Sequence, residues 1–291
     1  MPCYSPIRAW RSRTINENGK YPLVFKRSDG FTDQELQIPC GRCIGCRLER
    51  SRQWAVRCVH EASLYNDNCF ITLTYDDDHL PPGETLVKRD FQLFMKRLRK
   101  KYGSHIRFYQ CGEYGGQTER PHYHACIFNH DFPDKKHYST SFDGHKIFTS
   151  ASLSDLWDLG FTTLGAVSFN SAAYVARYIT KKITGEFSNN HYSGRLPEYS
   201  SSSKSIGLDW YKKFKSDLYP DDFVIINGSK QSIPKYYDQQ LEKTDPLLLQ
   251  KLKSSRRLAQ LNSPDNTLNR LDVRLDCKLA ATQTLKRSLE Q

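Results

Sequence analysis

The sequence predicts an α+β fold, an antiparallel β-sheet with flanking helices, preceded by a Cys/Arg-rich segment and followed by a helical tail. Three observations predict it. Apolar runs such as Cys69–Tyr75 and Phe161–Phe169 have the length and composition of strands. Two more runs, Ile106–Gly115 and Arg120–Phe128, flank a glycine-marked turn and read as an antiparallel hairpin. Val87–Tyr102 and Ser171–Lys182 have the apolar spacing of helices that pack on a sheet.

Composition bounds the function. The 291 residues suffice for one large domain or a core with appendages, and a net charge of +11 with a pI near 9.1 points to a polyanionic partner, most simply nucleic acid. A mean hydropathy of −0.68 with no long apolar run excludes a membrane span. Met1–Arg13 has no apolar segment of signal-peptide length, so export is not expected. Nine cysteines then read as thiols or metal ligands in a reducing cytoplasm rather than as a disulfide framework.

Taken in order, residues 1–64 form the Cys/Arg-rich segment. Cys40, Cys43 and Cys46 follow a Cys-x-x-Cys-x-x-Cys spacing at Gly/Pro turns, which suits tetrahedral thiolate ligation of Zn²⁺. Cys3 or Cys58 would be the fourth ligand; free, partly buried thiols and an iron–sulfur cluster are the other readings. A helix is expected over Ile44–Leu64, with Trp54, Ala55, Val59 and Ala62 as its apolar stripe. Arg42, Arg47, Arg50, Arg52 and Arg57 mostly face away, towards phosphates or solvent.

Residues 65–190 form the expected core. In the strand Cys69–Tyr75, Thr72 and Thr74 share a face; Asp76–Asp78 reads as a solvated turn. Phe91, Phe94, Met95 and Leu98 recur at i, i+3, i+4 and i+7 on the helix Val87–Tyr102. In the hairpin, His122 and His124 flank Tyr123 and point to one face. With Gly115–Arg120 as the loop, Glu113 faces His122 and Cys111 faces His124, so Glu113, His122 and His124 could hold one divalent metal. A one-residue slip would put Glu113 on the wrong face. Asn129–Thr149 reads as a long polar loop and Leu153–Leu159 as a short helix. The strand Phe161–Phe169 feeds a helix capped at Asn170 or Ser171, on which Tyr174, Tyr178 and Lys181 share a face with Lys182 at its edge.

Residues 191–291 form a C-terminal extension. Gly185–Lys204 reads as a mobile connection, Gly207–Lys215 as a helix, and Phe223–Tyr237 as a hairpin on an Asn227-Gly228 turn. Asp245–Gln291 has leucine-rich helical spacing with basic clusters.

A strand ending Thr-Leu-Thr-Tyr, a His-x-His strand and a Tyr-x-x-x-Tyr-x-x-Lys helix, in that order, resemble the HUH endonucleases. More narrowly, the chain is similar to the rolling-circle replication initiators of gokushovirus-type microviruses, small single-stranded DNA phages. Pro39–Cys46 and Gly112-Glu113-Tyr114-Gly115 take part in this resemblance, which covers about residues 1–240. It implies a metal-dependent single-stranded DNA endonuclease and strand transferase that nicks an origin and forms a 5′-phosphotyrosine. It implies Tyr174 and Tyr178 as alternating nucleophiles, Mg²⁺ or Mn²⁺ as the metal, and Lys181 or Lys182 as the cation stabilising developing charge. The implied partners are single-stranded origin DNA and the host helicase and polymerase, with no membrane, in the host bacterial cytoplasm. A plasmid-type or relaxase-like HUH nickase is the alternative enzyme. A non-catalytic zinc-containing DNA-binding regulator is the alternative of another class.

Overall fold

The computed structural model describes residues 3–116, 118–141, 144–182, 188–261 and 263–283, and their side chains except those of 178–181 and 283. The chain divides into two compact units, one drawing on Met1–Glu49 and Ser254–Leu285, the other on Arg50–Lys253.

The first unit carries a three-stranded sheet of β1 (Ile7–Ser12), β2 (Leu23–Val24) and β3 (Gly30–Ile38), with β1 in the middle. The helix α1 (Ile44–Ala62) starts there. The second unit runs through β4 (Asn68–Thr74), α2 (Lys88–Tyr102), β5 (Arg107–Tyr114), β6 (Pro121–Phe128), β7 (Lys136–Thr140), β8 (Lys146–Thr149), α3 (Ala151–Ser154), β9 (Thr162–Gly165) and α4 (Phe169–Lys181). It continues with α5 (Ser188–Tyr192), β10 (Tyr199–Ser202), α6 (Leu208–Leu218), β11 (Phe223–Ile226), β12 (Ser229–Ser232), α7 (Lys235–Thr244) and α8 (Pro246–Leu261). The last helix, α9 (Leu268–Gln283), belongs to the first unit.

The architecture is the expected α+β fold: a seven-stranded antiparallel sheet in the order β10-β5-β6-β4-β9-β8-β7, with helices on both faces. Alternation explains why β4, β5 and β6 sit at its centre. Cys69, Ile71 and Leu73 of β4 join Tyr123, Ala125 and Ile127 of β6 in one buried cluster. Phe91, Phe94, Met95 and Leu98 of α2 close that cluster, each side chain contributing about 1.5–3 kcal/mol by burial. Phe70, Cys126 and Phe128 point the other way, with Tyr109 and Cys111 of β5, and meet Ala55 and Cys58 of α1 and Ala172–Ala176 of α4. A third cluster joins Val56 of α1 to Tyr211, Tyr237 and Leu249.

Several elements differ from their sequence expectations. Asn129–Thr149 carries the β7–β8 hairpin instead of an open loop. Within Gly185–Lys204, residues 185–187 lie outside the described residues, but Tyr199–Ser202 forms the sheet's edge strand against β5. The helix expected over Leu153–Leu159 lies at Ala151–Ser154, where the Ser150 hydroxyl accepts the Leu153 N–H. Arg57 does not face a phosphate surface. Its guanidinium lies 4.1 Å from the Trp54 ring centre and 3.9 Å from that of Tyr236, and donates to the Ile206 carbonyl. Arg52 is likewise engaged, donating to the carbonyl and hydroxyl of Ser232. The Asn227-Gly228 turn is as expected, with both residues at positive φ.

His60 of α1 is buried, stacked at 3.4 Å between ring centres on Trp210 and 3.0 Å from the Tyr237 hydroxyl. Burial pushes its pKa down to about 3. The folded chain therefore keeps His60 neutral where the unfolded chain, titrating near 6.5, takes up a proton. Its contribution to stability is complete above about pH 6.5 and declines as pH falls towards 3. We expect a His60→Gln chain to lose urea stability less steeply than the wild type between about pH 7 and pH 5. Parallel slopes would contradict this.

Candidate active site

The β5–β6 register pairs Glu113 with His122 and Cys111 with His124, the pairing read from the sequence. Its turn closes with the Gly115 N–H donating to the Arg120 carbonyl at 3.0 Å. On the other side of β6, β4 places Thr72 opposite His124 and Thr74 opposite His122. Glu113 and His124 are almost fully buried and His122 is partly so.

Each ring is held by its Nδ1. His122 Nδ1 lies 3.0 Å from the Arg120 carbonyl, and His124 Nδ1 lies 3.0 Å from the Thr72 hydroxyl. Both Nε2 atoms then face one oxygen, Glu113 Oε1, at 3.4 Å from His122 and 3.3 Å from His124. A carbonyl can only accept, so His122 Nδ1 carries the hydrogen, and in the neutral ring Nε2 presents a lone pair. A lone pair facing a carboxylate oxygen is repulsive unless a cation or a proton lies between them. Ligand bonds of about 2.1 Å, tetrahedral or octahedral, separate neighbouring ligand atoms by about 3.0–3.4 Å. The three residues therefore fit a shared divalent cation, with ligand atoms all within 4.8 Å of one another.

α4 lies against this face. The Tyr174 hydroxyl donates to Glu113 Oε1 at 2.8 Å, and its ring meets that of His124 edge-on with centres 4.9 Å apart. Tyr174 is 6% exposed. Tyr178 and Lys181 belong to α4, but their side chains lie outside the described residues. Lys182 follows the last helical residue and is half-buried. Arg177, three residues after Tyr174 on the same helix, is not among the residues expected at the site from sequence. Its guanidinium lies 5.8 Å from the Tyr174 ring centre. Burial pulls the Arg177 pKa below its ordinary value, while Tyr174 and Glu113 act in the opposite direction. Its three-residue spacing from Tyr174 was the available signal.

The helix cap also differs from expectation. The cap pair is Ser168 and Ser171, not Asn170. Ser168 N–H donates to the Ser171 hydroxyl at 2.8 Å, and Ser171 N–H donates to the Ser168 hydroxyl at 3.1 Å. Cys111 packs among apolar neighbours on the site's face of the sheet. Asp76–Asp78 is a turn in which Asp76 accepts from His79 and Asp77 pairs with Arg120. At the N-terminus, Cys3, Cys40, Cys43 and Cys46 form a second group able to hold a metal; Cys58 is buried in the sheet–helix cluster instead.

Fold and site together define a class: an antiparallel-sheet protein that carries a Glu/His/His group under a tyrosine-bearing helix. Residues 68–183, from the start of β4 to just past α4, match the family model of replication-associated protein ORF2/G2P. The chain is 37% identical over 258 residues to replication-associated protein VP4 of Bdellovibrio phage phiMH2K, covering 84% of this chain and 79% of that protein. It is 36% identical over 219 residues to replication-associated protein ORF2 of Spiroplasma virus 4, covering 71% and 68%. Replication-associated protein ORF4 of Chlamydia phage 1 is 30% identical over 217 residues, covering 71% and 54%. No solved structure matches the chain. The chain belongs to the gokushovirus-type phage replication-associated proteins.

The Ser168–Ser171 cap fixes where α4 begins and so where Tyr174 stands. A Ser168→Ala change is expected to cost about 1 kcal/mol of unfolding free energy in urea. An unchanged midpoint would mean that the cap contributes nothing to the helix.

Proposed function

We propose that this chain initiates and terminates rolling-circle replication of a phage genome by nicking and rejoining single-stranded DNA. The observation that carries this reading is the convergence of the Tyr174 hydroxyl and both imidazole Nε2 atoms on one carboxylate oxygen. The relatives' description as replication-associated proteins and the net charge of +11 support it. Among the described residues no helix is long and apolar enough to cross a membrane.

Glu113, His122 and His124 would hold the divalent cation, Mg²⁺ or Mn²⁺, which when bound supplies Lewis-acid polarisation of the scissile phosphate. The Tyr174 oxygen attacks phosphorus in line. Its proton has an acceptor in Glu113 at 2.8 Å. The new O–P bond is a 5′-phosphotyrosine; the P–O3′ bond breaks and the leaving oxygen takes up a proton as a free 3′-hydroxyl. Arg177, Lys181 and Lys182 supply the cationic field that favours the attacking phenolate and the phosphate charge. The phosphodiester energy is retained in the tyrosyl bond, so rejoining needs no nucleotide.

Tyr178, one helical turn from Tyr174, supplies the second nucleophile. It cuts the regenerated origin, and the freed 3′-hydroxyl attacks the first phosphotyrosine to close a circle. The 3′ end primes the host polymerase, with a host helicase opening the duplex, in the host bacterial cytoplasm.

Incubation of the chain with a labelled single-stranded origin oligonucleotide and Mn²⁺ is expected to give a denaturation-resistant adduct. The adduct should persist in Tyr174→Phe or Tyr178→Phe alone and vanish in the double variant. It should also be lost, by about 100-fold or more, when His122→Ala and His124→Ala are combined. A DNA-binding regulator would bind the oligonucleotide and never form the adduct, which would refute the nicking reaction. Thr72→Val removes the hydroxyl that orients His124 and is expected to weaken Mn²⁺ binding about 10–100-fold by calorimetry. Unchanged affinity would show that the sheet alone aligns the ring.

A further inference from the structure

The first unit has a small apolar interior. The three apolar clusters draw on residues between Ala55 and Leu252, all in the second unit. The buried side chains described in the first unit are Cys3, Ala9, Trp10, Ser12 and Leu271. A three-stranded sheet with so little burial needs another source of stability.

The cysteines stand where that source is needed. The β1–β3 ladder ends at the Ile7–Ile38 pair. Cys3 lies just before that end of β1 and Cys40 just after that end of β3. Cys43 immediately precedes α1, and Cys46 lies in its first turn. The four sulfurs, from separate stretches of chain, lie within 4.8 Å of one another. Backbone N–H groups point at three of them. Cys40 N–H donates to Cys3 Sγ at 3.2 Å, Cys43 N–H to Cys40 Sγ at 3.3 Å, and Tyr4 N–H to Cys43 Sγ at 3.5 Å. Such donors favour the thiolate over the thiol.

The spacing also favours a single ion over a cluster. Tetrahedral zinc with Zn–S bonds of about 2.3 Å separates its sulfurs by about 3.8 Å, which the cluster accommodates. An iron–sulfur cluster interposes its own irons and sulfides and needs its cysteines farther apart. Four soft ligands with no open position suit a structural ion rather than a catalytic one.

We propose that Cys3, Cys40, Cys43 and Cys46 bind one structural zinc ion that clamps the open end of the β1–β3 ladder to the start of α1. Four thiols lose their protons as the ion enters, so occupancy falls as pH falls. The ion supplies folding free energy that the small interior of this unit lacks. None of this depends on the nicking reaction.

Metal analysis of the full-length chain, purified under reducing conditions, tests it. About one zinc per chain is expected in the wild type and in the combined His122→Ala, His124→Ala variant, and near none in Cys43→Ser. Cobalt added to metal-free wild type should give a sulfur-to-metal charge-transfer band with the visible bands of tetrahedral thiolate coordination. That second measurement stands even where Cys43→Ser does not fold. Ready titration of Cys3, Cys40, Cys43 and Cys46 in zinc-treated wild type, located by mass spectrometry of the labelled peptides, iron instead of zinc, disulfides among these cysteines, or full zinc retention by folded Cys43→Ser would each overturn the proposal.

Discussion

One carboxylate oxygen, Glu113 Oε1, sets the terms for this site. It lies beside two imidazole nitrogens and a phenol, on a residue that is 1% exposed. An ionised carboxylate in such surroundings is costly unless donors or a cation compensate it. The surrounding fold is arranged to supply them. β5 and β6 are interior strands, and Glu113 and His124 are buried there while His122 stays partly accessible, so little water reaches the carboxylate. Every polar contact there then acts at low dielectric and gains in strength. A one-residue slip between β5 and β6 would send Glu113 to the face of Tyr123, among the apolar side chains packed on α2. Register is therefore fixed jointly by the apolar alternation and by the charge.

The hairpin was legible because a strand's period is two and both strands are well bounded. Alternation places His122 and His124 together, and the glycine-marked turn counts Glu113 into line with them. What sequence could not supply was tertiary. β3 is long but largely solvent-facing and β1 buries only Ala9, Trp10 and Ser12, so their apolar alternation is faint and the sequence predicts no strand before residue 69. β10 is the serine-rich stretch Tyr199–Ser202, whose composition resembles a linker; it is a strand because β5 offers it an open edge. The helix cap was displaced because two serines bond reciprocally, which spacing alone does not reveal. The ligand-orienting contacts from the Thr72 hydroxyl and the Arg120 carbonyl depend on side-chain and backbone placement, and a carbonyl leaves no mark in the residue string.

Charge was read correctly in total and less well in detail. The formal +11 counts every cation equally. Arg57 lies between two aromatic rings, Arg52 is bonded to β12, and Arg107 forms an ion pair with buried Glu61 at 2.5 Å. Arg99 donates to the Ile106 carbonyl. These guanidiniums hold the fold, a task for which planar, multidentate donors are better suited than lysine. The cations left to meet a polyanion include exposed Arg42, Arg50, Lys96, Lys100 and Lys101. A helix that carries both classes, such as α1, cannot be assigned a nucleic-acid face from its arginine count.

The approach of α4 to the sheet follows from side-chain size. The residues by which it packs on the sheet include Ala172, Ala173, Val175 and Ala176, all small. Small contacts let a helix lie close to the strands beneath it, whereas leucine or phenylalanine at the same positions would hold the axis farther away. The close approach is what carries the Tyr174 hydroxyl to 2.8 Å from Glu113. A tyrosine side chain has a fixed length, so a helix raised by the added bulk of a larger residue would withdraw the phenol from the carboxylate. The alanines of α4 thus do for distance what the hairpin register does for direction: one sets how near the phenol comes, the other sets which groups it meets.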